Sequence, residues 1–389
     1  MRVLIIPLPA LAKTEGSTKR VRELVEGFID NGFTVATCAV LDGNFKPLKN
    51  IYNYYLEVPM PLGLPKFLGK RAFEFAEKSG IKKRKEVSSF EEVLNLTGAI
   101  SEKYFEKNII CVRNAIKHFK PDVVYSEFNL GSIIAGKLEN VKVFSDYSYP
   151  VQASYACTPN LAKGVNKVLS KLGLENVNSS LDIFLKADKL IVPSSYELEP
   201  IEGENIIFTG PFNSYKSKNI EENKSGQLEK RNKIVAYMGS GTISTKLLLK
   251  ELKKAFFNTK FEVYIAVDDA QSDNIENIHI DKRFDFSKLL PDSFAFINHG
   301  GQNSIMDGLR FHVPQIICPG RVFERKYNAE SITAKKAGIQ ISEKDFSAEK
   351  IKECITCFEE NHEYINNSIN IWKAIEELGG VKRVIQEII

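Results

Sequence analysis

The stretch whose reading decides the fold is Phe296–Ala329, FINHGGQNSIMDGLRFHVPQIICPGRVFERKYNA. The apolar run Phe294 to Ile297 reads as a buried strand that ends in Asn298-His299. Gly300-Gly301 follows, then Gln302-Asn303-Ser304, then an amphipathic helix whose inner face carries Ile305, Met306 and Leu309. A strand, a tight turn and a helix in this order bring unpaired backbone N–H groups and a positive helix end to one point. That point suits a phosphate or diphosphate. The glycines let an anion approach the backbone closely, and His299 adds a side-chain hydrogen bond.

A second apolar strand, Pro314 to Cys318, leads through Pro319-Gly320 to Glu324, Arg325 and Asn328 at the start of another helix. Glu324 supplies acceptors and Arg325 donors, a combination able to hold vicinal hydroxyls of a sugar. The set His299-Gly300-Gly301, Ser304, Asp307-Gly308-Leu309, Val313-Pro314, Glu324-Arg325 and Asn328-Ala329 resembles the donor-binding signature of the UDP-glycosyltransferase superfamily. It departs from that signature at Gln302-Asn303 and in having Glu324-Arg325 where the family has Asp-Gln. The resemblance implies an α/β protein of the GT-B kind, related to bacterial UDP-glycosyltransferases and the peptidoglycan-type N-acetylglucosaminyltransferases. Two Rossmann-like, doubly wound domains would face each other across a cleft.

The rest of the chain can be tested against that expectation. At 389 residues it is long enough for two cores. A polar, lysine-rich stretch at 212–232 reads as the linker. The expected organisation is an acceptor domain over 1–212, a donor domain over 232–365, and a C-terminal helix over 366–389 that crosses back, as the resemblance implies. A net charge of +4 without a basic recognition module gives no reason to expect a nucleic-acid partner. The N-terminal MRVLIIPLPALAK is too short to span a membrane and lacks a cleavage site, so it reads as a first strand of a cytoplasmic protein. Six scattered cysteines fit a reducing compartment. Cys354 and Cys357 form a CxxC inside an expected helix without a second pair, so no metal site is assigned.

In the N-terminal half, Arg2 to Pro7 is a strand, Lys19 to Asp30 a helix capped by Asn31-Gly32, and Thr34 to Val40 a second strand. No GxGxxG follows the first strand. The resemblance reaches this half through Gly16-Ser17 and Gly32-Phe33-Thr34-Val35, and the family's catalytic histidine would fall near Ser17. Two further buried strands end in Glu127 and in Asp146. Strand carboxyl ends face the ligand crevice of a doubly wound sheet, so Glu15, Glu127 and Asp146 are expected to converge. The resemblance gives the acid at Glu127 the role of orienting that histidine.

Donor contacts are expected from Gly16 and Ser17 and from a second strand–turn–helix at Gly239-Ser240-Gly241-Thr242. Arg283 and Phe284 stand where the family binds the nucleotide base; the alternative for them is a packed loop. Segment 57–90 mixes apolar residues with Lys78, Lys82, Lys83, Arg84 and Lys85. It reads as an acceptor wall that meets a lipid-linked acceptor or an anionic membrane surface, or else as a solvated helix. Segment 151–180 reads as a loop and helix forming another acceptor wall.

The chemistry implied is an inverting hexosyl transfer from a nucleoside-diphosphate sugar, UDP by family, to a hydroxyl on a small molecule, lipid or glycan precursor. Charge grows on the departing diphosphate, and helix ends with His299 stabilise it. The sequence has no Asp-x-Asp, so metal independence is expected, with no cofactor beyond the nucleotide sugar. Glu15 and Glu127 are the candidate bases, since burial can raise a carboxylate toward neutrality. Two other readings stay open: an inactive GT-B auxiliary protein that binds a nucleotide sugar or a partner transferase, and a UDP-sugar epimerase or hydrolase.

Overall fold

Apolar runs alternating with amphipathic segments should pair as parallel strands covered by helices on both faces. The computed structural model describes residues 1–9, 15–41, 47–78, 86–155, 161–212, 231–239, 243–268 and 271–389, with the backbone alone for residues 15, 16 and 73–78. It divides into two compact units. One takes residues 1–82, 87–216 and 375–389, the other residues 83–86 and 217–374.

The first unit is built on a parallel sheet of β1 (Arg2–Ile6), β2 (Thr34–Val40), β3 (Tyr52–Leu56), β4 (Val123–Ser126), β5 (Lys142–Asp146), β6 (Lys189–Val192) and β7 (Ile206–Phe208). Its spatial order is β3-β2-β1-β4-β5-β6-β7. Val3 through Ile6 are wholly buried, which is why β1 reads as an uninterrupted apolar run. The helices are α1 (Glu15–Asp30), α2 (Lys66–Lys78), α3 (Phe90–Thr97), α4 (Glu102–Phe119), α5 (Leu130–Leu138) and α6 (Lys163–Lys171). The helical pattern from Phe90 to Phe119 is split at Gly98, which caps α3 in the left-handed region at φ 82°. A Cβ there would fall 1.8 Å from the Met60 carbonyl oxygen, so the break is built into the packing.

The second unit contains β8 (Lys233–Tyr237), β9 (Glu262–Ala266), β10 (Asp273–Ile275), β11 (Ile278–Asp281), β12 (Ser293–Asn298), β13 (Gln315–Ile317) and β14 (Gly338–Gln340). Their order is β10-β11-β9-β8-β12-β13-β14, parallel except for β10 against β11. Its helices are α7 (Thr245–Phe256), α8 (Phe286–Leu289), α9 (Gln302–Arg310), α10 (Phe323–Ala334), α11 (Ala348–Glu360) and α12 (Glu363–Glu376). Ser244 caps α7 by accepting from the Leu247 N–H at 3.3 Å. The last helix, α13 (Val381–Ile388), places Val381, Val384, Ile385 and Ile388 in the core of the first unit with Val3, Val25 and Phe28.

Both sheets reverse their winding at an internal point, between β1 and β4 in the first and between β8 and β12 in the second. Strand ends at such a reversal open a crevice where ligands bind. Several local readings are corrected. Helix α1 begins at Glu15 rather than Lys19, so Glu15 to Thr18 form its first turn instead of a loop. Strands β3, β10 and β14 were not anticipated. Most of the expected linker, residues 213–230, lies outside the described residues.

Candidate active site

In the first unit the loops after β1 and β4 are stitched together at the winding reversal. The Glu127 N–H donates to the Ile6 carbonyl at 2.9 Å, and the Asn129 carboxamide to the Pro7 carbonyl at 3.2 Å. Asn129 also caps α5, accepting from the Ser132 N–H at 3.1 Å. This places the fully buried Glu127 under the first turns of α1. Both its oxygens are engaged: Oε1 meets Arg20 Nη2 at 2.6 Å, and Oε2 accepts from Ser17 Oγ at 2.5 Å and from the Leu8 N–H at 3.0 Å.

A second buried carboxylate, Asp146, lies at the end of β5, with Oδ2 3.8 Å from Arg20 Nε and Oδ1 accepting from the Tyr125 hydroxyl. Burial pushes Asp146 up to about 7; the Arg20 cation opposes this and the Glu127 charge adds to it. Glu127 and Asp146 thus converge as strand topology led us to expect. Glu15 opens α1, but only the backbone of Glu15 and Gly16 is described. Ser17, expected on the donor side, turns to Glu127 instead.

Farther along the first unit is a cavity of about 700 Å³ lined by Leu56, Met60, Leu64, Tyr104, Lys66 and Lys103, among others. The lining is mixed: beside the apolar side chains stand Lys66, Lys103 and Lys107, the last paired with Glu57 at 2.8 Å. Beside it Leu62, Phe67 and Leu68 are exposed, with Lys66, Lys70 and Arg71 among them.

In the second unit the turn after β12 has the expected form. Gly300 sits at φ 78°, and Gly301 is the N-cap of α9 with no side-chain cap. Gln302, Asn303 and Ser304 therefore form a first turn whose N–H groups have no partner within the helix. Asn298 fixes the turn: its Oδ1 accepts from the Gly300 N–H at 2.8 Å, and its Nδ2 donates to Gln315 Oε1 at 2.8 Å. Gln315 in turn donates to the Ile305 carbonyl at 3.1 Å. It passes where a Cβ on Gly308 would lie 2.4 Å from its carboxamide carbon, which explains the small residue at that place.

His299 is buried, with Nδ1 3.4 Å from the Tyr237 carbonyl and its ring edge-on to Tyr237 at 5.4 Å. Burial, with Arg325 nearby, holds the imidazole down to about 3, so it is neutral at physiological pH. A neutral imidazole there can still offer one N–H to an anion. Asn328 Nδ2 donates to the Gly300 carbonyl at 2.9 Å, while Glu324 and Arg325 stand half-buried in the first turn of α10. His299, Gly300, Gly301, Gln302–Ser304, Arg325 and Asn328 are therefore brought to one place.

Phe284 packs edge-on against Tyr264 at 5.5 Å, between β11 and α8, while Arg283 beside it is exposed. Ser240, Gly241 and Thr242 lie outside the described residues, although Gly239 just before them approaches the His299 ring. The sequence reading missed Tyr237, Asn298 and Gln315 in this site, and Arg20 and Tyr125 in the first unit. Tyr237 and Asn298 each end a strand beside the reversal, and that position was the available signal.

Residues 251–378 match the family described as Erythromycin biosynthesis protein CIII-like, C-terminal domain. The NDP-glycosyltransferase YjiC of Bacillus subtilis (strain 168) is 22% identical over 295 residues, 70% of this chain and 73% of that one. CalG4, the calicheamicin glycosyltransferase, superposes with a TM-score of 0.71 at 14% identity, over 100% of this chain and 97% of that one. The spinosyn rhamnosyltransferase SpnG complexed with thymidine diphosphate gives a TM-score of 0.63 at 16% identity, over 99% and 100%. That protein is also known complexed with spinosyn aglycone. The two Rossmann-like units, each a mostly parallel sheet with helices, match GT-B glycosyltransferase structures in fold.

Proposed function

We propose that this member of the UDP-glycosyltransferase superfamily, a GT-B glycosyltransferase using a nucleoside-diphosphate sugar, transfers the sugar with inversion and without a metal ion. The observation that carries the reading is the turn after β12. Uncapped amides of α9, a positive-φ glycine and a neutral, buried His299 converge there, and the half-buried Glu324 and Arg325 stand within the same signature. Helix-end amides and His299 would take the charge that develops on the leaving diphosphate. Glu324 and Arg325 would hold the sugar hydroxyls, and Arg283 with Phe284 the base. UDP is the nucleotide we assign; thymidine diphosphate, which SpnG binds, is the competitor.

The acceptor side belongs to the first unit. A cavity lined by apolar side chains together with Lys66 and Lys103 favours an apolar acceptor bearing an acidic group, either a small molecule or a lipid or glycan precursor. The exposed Phe67 and Leu68 beside Lys66, Lys70 and Arg71 would let this face rest on an anionic membrane. Among the described residues no helix is long and apolar enough to cross one. The proton of the acceptor hydroxyl is assigned to a first-unit carboxylate, Glu127 or Glu15.

Calorimetry with UDP- and dTDP-sugars, with and without EDTA, tests the donor reading. One sugar nucleotide should bind unaffected by EDTA, and His299→Ala should weaken it by roughly ten- to a hundredfold. Absence of binding by every nucleotide sugar would remove the assignment and favour an auxiliary protein of the same fold.

A further inference from the structure

Glu127 is wholly buried, and one of its oxygens carries the Arg20 guanidinium. No substrate hydroxyl can reach it directly. Among the described residues that touch it, Ser17 carries the one hydroxyl; it is 9% exposed in the first turn of α1, at the reversal between β1 and β4. A serine hydroxyl has one proton, and Ser17 gives it to Glu127 Oε2 at 2.5 Å. Its oxygen is left to accept from an incoming O–H.

We propose that Ser17 meets the acceptor hydroxyl and relays its proton to Glu127, with Arg20 as a positioning residue that holds the carboxylate in place. The proposal rests on the transferase reading above. As the acceptor oxygen forms its bond to the anomeric carbon, its proton passes to Ser17 Oγ, and the proton of Ser17 passes to Glu127 Oε2. The bond from the anomeric carbon to the diphosphate breaks, and its electron pair leaves with the diphosphate. Glu127 ends as a neutral acid and returns its proton to solvent by the reverse path.

The groups facing Glu127 support this direction of flow. Arg20 comes from α1, Asp146 from the end of β5 and Tyr125 from β4. One guanidinium stands between two buried carboxylates, and it is closer to Glu127, at 2.6 Å, than to Asp146, at 3.8 Å. Asp146 is held separately, by the Tyr125 hydroxyl, which donates to its Oδ1. The guanidinium thus sits on Glu127 Oε1 and leaves Oε2 to Ser17 and the Leu8 N–H.

The test uses the full chain with the sugar nucleotide that calorimetry selects and two probe acceptors. One is 4-nitrophenol, acidic enough to ionise near neutral pH; the other is benzyl alcohol, which needs a base. Ser17→Ala should cut turnover of benzyl alcohol by roughly a hundredfold but that of 4-nitrophenol by less than about tenfold, since the need for a base falls with acceptor acidity. Ser17→Thr, which keeps a hydroxyl, should restore most of the loss, and donor affinity should not change in either variant.

Arg20→Met should cut turnover of benzyl alcohol by roughly tenfold while sparing 4-nitrophenol and donor affinity, because the guanidinium 2.6 Å from Glu127 Oε1 no longer holds the carboxylate against Ser17. Equal losses on both acceptors, or none, with wild-type donor affinity would overturn the relay alone. Unchanged benzyl alcohol turnover, or equal losses on both acceptors, in a folded Arg20→Met protein would remove Arg20 from it. A wild-type chain that binds and transfers no sugar would take down the transferase reading, and the relay with it.

Discussion

The Asn328 carboxamide donates to the carbonyl oxygen of Gly300 at 2.9 Å, so the helix that carries Glu324 and Arg325 is tied directly to the turn that carries His299. One hydrogen bond therefore joins the two halves of the sequence signature. Asn328→Ala leaves the buried Gly300 carbonyl without that donor, and we expect a loss of about 1–2 kcal/mol in stability. Nucleotide-sugar affinity should fall with it, by roughly tenfold. Chemical denaturation and calorimetry on the same samples check both. Unchanged affinity in a destabilised protein would reduce Asn328 to a structural tie.

This turn was legible in the sequence because each of its requirements is local. Gly300 needs a positive φ, β12 needs a buried apolar run, and α9 needs an inward stripe, all within a short stretch. The first-unit site was legible only in outline. Strand ends placed Glu127 and Asp146 near one another, but Ser17 and Glu127 are 110 positions apart and no periodicity reports their contact.

Arg20 looked like one more helical cation, and nothing local marked it as the bridge between two carboxylates. The first turn of α1 was misread because Gly16-Ser17-Thr18 favours loops by propensity, which tertiary context overrode. Strand β3 was missed because its residues are mostly partly exposed, so its aromatic and polar residues give no clear alternation.

The paired glycines of the turn should respond differently to the same substitution. At Gly300 a Cβ would lie 2.8 Å from the backbone oxygen of Arg325, with φ in the left-handed region. Gly300→Ala should therefore destabilise the second unit by about 1–3 kcal/mol. At Gly301 the backbone is ordinary, and the nearest atoms to a Cβ would be those of the His299 ring, Nε2 at 2.6 Å. Gly301→Ala should leave the melting temperature nearly unchanged while displacing the imidazole, weakening donor binding by roughly tenfold or more. Thermal melts paired with calorimetry separate the two; equal destabilisation by both would show the His299 contact to be as rigid as backbone.

The buried imidazole sets a pH dependence with a definite sign. His299 is held at about 3 in the folded chain against an ordinary 6.5. Between those values the unfolded chain binds a proton that the folded chain does not. The stability that a neutral His299 allows is complete above about pH 6.5 and is lost as pH falls toward 3, by up to about 1.4 kcal/mol per pH unit. His299→Asn removes that slope, while His312, held down to about 4, stays in both proteins and cancels. Urea denaturation from pH 7.5 to 4.5 should show the wild-type advantage shrinking as pH falls. Parallel curves would mean that the imidazole is solvated.

The final helix is structural to the first unit although it follows the second in sequence. Val381, Val384, Ile385 and Ile388 are each at most 6% exposed, and the Gly380 N–H donates to the Thr209 carbonyl at 2.7 Å just before α13 begins. Full burial of four such side chains contributes about 6–12 kcal/mol as an upper estimate, comparable to the whole stability of a domain. Deleting residues 381–389 should therefore unfold the first unit or lower its melting temperature by more than about 10 °C, leaving the second unit's transition in place.

The narrower substitution Gly27→Leu should reproduce part of the loss, since a Cβ at Gly27 already falls 2.4 Å from Val381 Cγ1 and pushes α13 off α1. Scanning calorimetry resolves the two transitions. A truncated chain that melts like the full one would show that the first unit closes its core without α13. Loss of the second transition instead of the first would mean that α13 supports the other unit.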